Sequence, residues 1–86
     1  MMKIAYKAIF IRQFDDLPID LQSEVLEKIG LLKIAQNHQQ LKVHKLHGSL
    51  RDRYSFSVNY KIRIVFRYLS KNEIVLLVIG DHDIYR

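Results

Sequence analysis

Residues 54–68, "YSFSVNYKIRIVFRY", alternate large apolar side chains with hydroxyls and fixed cations. In an extended chain Tyr54, Phe56, Val58, Ile62, Ile64, Phe66 and Tyr68 fall on one side, and Ser55, Ser57, Lys61, Arg63 and Arg67 on the other. A guanidinium grips a phosphate through two parallel hydrogen bonds, so the second side suits a polyanion. Arg63, central on that side, has the strongest case for such contact. Arg53, Lys61 and Arg67 suit backbone phosphate, and Tyr60 could stack on a base. A nearby histidine could move protons. His82 lies between Asp81 and Asp83, whose carboxylates favour its charged form, and Tyr85 follows in the same "GDHDIY" tail. His44 and His47, three apart, are a weak metal pair without further ligands, so no metal and no cofactor are expected. His38 reads as a surface residue at a helix end.

Those groups need a frame, and the pattern supplies one. "MKIAYK" alternates as a short first strand. Ile9, Phe10, Phe14 and Leu17 recur at helical spacing. Pro18 suits the first position of a second helix, where its missing N–H costs nothing. Leu21, Val25, Ile29 and Leu32 form the stripe of that helix, predicted to run to about Gln36; Gly30 within it has no sequence-level reason. Residues 37–53 show no period and read as a basic connector with a turn at Gly48. Three strands follow, at about 53–59, 61–69 and 73–79. Residues opposed across an antiparallel pair share a face. A three-residue loop at 59–61 then sets Val58 against Ile62, Phe56 against Ile64, Tyr54 against Phe66, Ser57 against Arg63 and Arg53 against Arg67. Two opposed arginines repel unless an anion lies between them. "EIVLLVI" is apolar on both faces and belongs inside the sheet. The expected architecture is α+β: strand, two helices, then three strands. The sheet is small and mainly antiparallel, with about four strands. Both helices lie on one face, and the other face is left partly open with Ser55, Ser57, Arg63 and Arg67 in its floor. Gly80 turns the tail toward its rim.

Eighty-six residues suggest one domain spanning 1–86. There is no cysteine, which excludes disulfides and thiolate metal sites. The longest apolar run, Ile74–Ile79, is far short of the roughly 20 residues of a membrane span. No secretory signal stands at the start, so a soluble cytoplasmic protein is expected. The net charge of +5 is unevenly placed. Residues 1–40 balance five Lys or Arg with five Asp or Glu, while residues 41–86 hold nine against four. The second half thus suits a polyanionic partner.

The order of "LP" between two helices, "KLHGSLRDRYSFSV", "KIRIVFRY" and "GDHDIY" resembles the RelE/ParE superfamily of toxins from toxin–antitoxin pairs, over nearly the whole chain. The resemblance implies a type II toxin that cleaves mRNA on the ribosome and is neutralised by a cognate antitoxin. In that chemistry the 2′-hydroxyl of one nucleotide attacks the adjacent phosphate. It needs a base, an acid and cations to meet the charge on phosphorus. By the resemblance, Arg63 clamps the phosphate, His82 serves as base or acid, Tyr85 stacks or helps proton transfer, and His44 is a second histidine. Lys45, Arg53, Ser57, Lys61 and Arg67 would contact RNA. The chain departs from RelE at Ser55 and Ser57, where RelE has lysines, so the histidines would carry the proton transfers. The ParE branch, which acts on DNA gyrase, and a degenerate, non-toxic RNA-binding member are the alternatives the resemblance leaves open.

Overall fold

The computed structural model describes residues 1–85, and for His82 and Tyr85 the backbone alone. β1 (Lys3–Tyr6) leads into α1 (Ala8–Asp15) and α2 (Ile19–Leu32). β2 (His44–Lys45), β3 (Tyr54–Ser57), β4 (Arg63–Ser70) and β5 (Glu73–Gly80) follow, with single 3-10 turns at Ala35–Asn37, Gly48–Leu50 and His82–Tyr85. The strands form one sheet in the order β1-β5-β4-β3-β2. β1 pairs parallel to β5; the other pairings are antiparallel. The α+β class is as expected, with corrections in detail. The sheet has five strands, because His44–Lys45, inside the supposed connector, pairs with Ser55 and Tyr54. Two residues are too few to alternate visibly.

The helices are short and close their own ends. Pro18 caps α2 from just outside it, with φ −56°. Gln22 donates through Nε2 to the carbonyls of Phe14 (3.1 Å), Asp15 (3.3 Å) and Leu17 (3.1 Å), which satisfies acceptors left open where α1 stops. α2 ends at Leu32 rather than near Gln36. There Asn37 Nδ2 donates to Leu31 O (3.1 Å), and His38 Nε2 lies 2.7 Å from Leu32 O. His38 is thus half-buried and caps a helix.

The β3–β4 register matches the expectation at Tyr54↔Phe66, Phe56↔Ile64 and Ser57↔Arg63, with Ser55 opposite Val65 between them. Asn59 closes the loop: its Oδ1 accepts from the backbone N–H of Lys61 and of Ile62, each at 2.8 Å. Phe56, Ile64, Phe66, Ile74 and Leu76 pack with Phe10, Val25, Ile29 and Leu32 in one buried cluster on the helix side. On β5 the partners jump from Val78 (opposite Val65) to Leu76 (opposite Phe66), so Leu77 bulges. Beyond the bulge, Ile79 N–H donates to Gln13 Oε1 of α1 at 2.9 Å.

The opposite face is less open than expected. Ser55 is 0% exposed, and Val65 and Val75 are also buried. Apolar residues at the centre of this face demand cover. Leu50, from the turn after β2, and Ile84, from the tail, line a cavity of about 320 Å³ with Val65 and Val78. Among the described residues no helix is long and apolar enough to cross a membrane.

Candidate functional site

On this second face the register lays side chains in rows. His44, Ser55, Val65 and Val78 form one row across β2, β3, β4 and β5. Ser57, Arg63 and Gly80 form the next. Rows lie about 6.7 Å apart and strands about 4.8 Å apart, which puts the Cα atoms of His44 and Arg63 about 12 Å from each other. An imidazole and a guanidinium reaching inward from those positions can bracket one phosphate between them.

Arg63 is half-buried, and its Nη1 donates to the carbonyl of Asn59 at 3.1 Å. The same Asn59 donates through Nδ2 to Glu24 Oε1 on α2 at 2.8 Å. One loop residue therefore ties the guanidinium to the hairpin and the hairpin to the helix layer. Gly80, paired with Arg63, begins the turn into the tail. The tail folds tightly: Asp83 N–H donates to Asp81 Oδ1 at 2.9 Å and Ile84 N–H to Asp81 O at 3.2 Å. A Cβ on residue 80 would stand 2.5 Å from Ile84 Cγ2, so any larger residue there forces the Ile84 side chain or the tail to shift. The expected roles of the His82 and Tyr85 side chains lie outside the described residues.

His44 is exposed on the edge strand, with Nδ1 3.0 Å from Lys42 O. A carbonyl only accepts, so Nδ1 carries the proton, and in the neutral ring Nε2 keeps its lone pair. Ser57, half-buried beside Arg63, can donate its hydroxyl to an oxyanion. The other candidates scatter. Arg67 pairs with Val75 one row beyond Val65. Arg53 lies just past the end of the β3–β4 ladder, which stops one residue short of the expected Arg53–Arg67 opposition. Its Nε, buried and without a hydrogen bond, is 3.8 Å from Asp52 Oδ1, an ion pair of charge alone. Lys61 is exposed in the hairpin loop, and Lys45, opposite Tyr54, sits on the helix side of the sheet. On that side too, burial, and then the neighbouring Tyr54, raise the Tyr68 hydroxyl above 10.0.

A second basic feature escaped the sequence. Lys28 of α2 and Lys42 of the connector line a pocket of about 370 Å³ with Ser57, Asn59, Tyr60 and Arg63. Lys28 reads as an ordinary polar-face residue of a helix, and no short-range pattern joins it to the sheet.

No protein-family model matches the chain, and no curated protein is significantly similar to it in sequence. Solved structures are similar over almost their whole length. The RelBE2 toxin–antitoxin complex of Mycobacterium tuberculosis matches at 15% identity, covering 94% of this chain and 98% of that one, with a TM-score of 0.76. The YoeB–YefM complex of Staphylococcus aureus matches at 16% identity over 95% and 98%, TM-score 0.75. A conserved hypothetical protein of Helicobacter pylori matches at 23% identity over 96% and 97%, TM-score 0.71. The chain has the RelE/ParE toxin fold. In a RelE/ParE-type frame, the Arg63 row is where the C-terminal tail leaves the sheet.

Proposed function

We propose that the chain is the toxin of a type II toxin–antitoxin pair and cleaves mRNA on the ribosome, with a cognate antitoxin as its inhibitor. The observation that carries this reading is the register Ser57↔Arg63↔Gly80, which aligns a phosphate clamp, a hydroxyl donor and the root of the tail. The fold it shares with toxins solved in antitoxin complexes supports it. Arg63 and Ser57 hold the scissile phosphate. His44 Nε2 takes the proton from the 2′-hydroxyl as the 2′-oxygen bonds to phosphorus. The bond to the 5′-oxygen breaks, and that oxygen takes a proton from a general acid. His82 is the candidate acid and Tyr85 the candidate base-stacking group, both by resemblance to the family. Products are a 2′,3′-cyclic phosphate and a free 5′-hydroxyl. Arg63 stabilises the dianionic phosphorane because its donors are held in place by Asn59 before charge develops.

Primer extension on mRNA from cells expressing the chain tests this. Cleavage within translated frames is the expected result. Growth arrest with intact transcripts would place the chain with the gyrase-directed branch instead.

A further inference from the structure

The pocket between α2, the connector and the β3–β4 loop adjoins the proposed cleavage site, because Arg63 and Ser57 line both. Its walls bring Lys28, Lys42 and Arg63 together, and no Asp or Glu is among its lining residues. Glu24, one turn before Lys28 on α2, accepts from Asn59 Nδ2 at 2.8 Å. Lys28 and Lys42 form no ion pair with any described residue. Lys28 and Lys42, beside Arg63, therefore give the cavity a positive wall that favours an anion.

Two further observations give the anion a character. Tyr60 is 91% exposed at the pocket edge, a large ring that packs on nothing and offers its face to a flat ligand. Lys42 holds φ at 59°, a left-handed conformation that a side-chain-bearing residue adopts only at a cost. Its carbonyl also receives His44 Nδ1, so one strained residue serves both the pocket wall and the candidate base. The volume, about 370 Å³, falls near the lower end of the range for small-ligand pockets, too small for a docked helix.

We infer that this pocket is a nucleotide subsite of the RNA path. It would hold the phosphate of the residue next to the cleaved bond between Lys28, Lys42 and Arg63, with the base of that residue on Tyr60. The inference rests on the cleavage reading above and extends it to a second nucleotide.

The test titrates a short RNA, with 2′-O-methyl groups to prevent cleavage, onto the whole protein and follows fluorescence anisotropy over a range of salt. Lys42→Gly removes a charge while relieving the left-handed backbone, and Lys28→Gln sits on a helix surface, so both variants retain the fold. Together they should lower affinity at least tenfold and flatten the dependence of log K on log salt by about 1.4, since each phosphate contact to a single strand contributes about 0.7. Tyr60→Ala should lower affinity about five- to hundredfold with no change in that slope. If Arg63→Ala weakens binding but these three substitutions do not, the pocket lies off the RNA path and the inference fails, while the cleavage site stands. If they instead weaken only the complex with an antitoxin, the pocket serves an acidic peptide and the inference fails again. If the unsubstituted protein binds no RNA, the pocket is no RNA subsite and the inference fails, while cleavage on the ribosome is still decided by primer extension.

Discussion

The two faces of one five-stranded sheet are built on different terms. The helix face is apolar across the central strands, where Phe56, Ile64, Phe66, Ile74 and Leu76 are buried. Tyr54 stacks on Phe66 at 5.7 Å, meets Tyr68 edge-on at 5.0 Å, and Phe56 meets Phe66 at 6.1 Å. Two helices seal it. The other face is apolar only at its centre, with hydroxyls and guanidinium groups in the rows on either side. Among the described residues its cover includes Leu50 and Ile84, each from a single turn. Few buried contacts mean low local stability, which suits a segment that must admit a ligand. The helix face thus specifies the fold, and the other face can tolerate polar groups because little of the fold depends on it.

The largest expected effect tests that division directly. Phe66 is fully buried among three aromatic neighbours, and Phe66→Ala should cost about 3–5 kcal/mol of stability in chemical denaturation. Val65 lies beside it in sequence but faces the other way. Val65→Ala should cost clearly less, since its cover can settle into the space. Equal losses would show that both faces bear the fold.

Arg63 sharpens the comparison from the functional side. Arg63→Lys keeps the charge but loses the planar fork and the hydrogen bond to Asn59 O. The proposed cleavage of mRNA should fall about 10²-fold or more, the scale for removing one donor to a developing oxyanion. Stability should change by less than about 1 kcal/mol. A lysine that restored full cleavage would reduce Arg63 to a simple point charge.

How much of this was legible follows from the range of the interactions. The β3–β4 register could be read because alternation and a three-residue loop are local, and Asn59 completes that loop with its own side chain. The end of α2 could not, since it is set by the side chains of Asn37 and His38 reaching back to Leu31 and Leu32. The cover near Val65 and Val78 was hidden because Leu50 and Ile84 reach it from two separate turns. Arg63 was legible as a candidate from its strand position. Its union with Lys28 and Lys42 exists only after α2 packs beside the hairpin.

A smaller effect concerns the cover itself. Gly80→Ala places a methyl 2.5 Å from Ile84 Cγ2, so the Ile84 side chain or the tail behind it must shift. Its position in β5, opposite Arg63, leaves the core untouched. The proposed activity should drop about tenfold, equivalent to about 1.4 kcal/mol in the barrier. Stability should shift by only about 1 kcal/mol or less. Reduced cleavage with an unchanged denaturation midpoint would locate the tail's importance in function. A large stability loss would instead make the tail part of the fold, against the contrast drawn between the faces.

The smallest effect lies on the helix face and is seen only in alkali. Burial, and then Tyr54 beside it, raise the Tyr68 hydroxyl above its ordinary 10.0, so the folded state favours the neutral phenol. In the unfolded chain Tyr68 ionises near 10.0. The folded state therefore binds this proton more tightly. The resulting stabilisation is fully present below pH 10 and is lost as pH rises through the folded-state value. Tyr68→Phe keeps the ring and its edge contacts with Tyr54 and Phe66 but has nothing to ionise. Thermal unfolding of the two proteins should run parallel from pH 7 to 9. Above pH 10 the unsubstituted protein should lose stability more steeply. Identical slopes up to pH 11 would mean that water reaches the Tyr68 oxygen freely, and that the aromatic face is less sealed at this end than the helix cover implies.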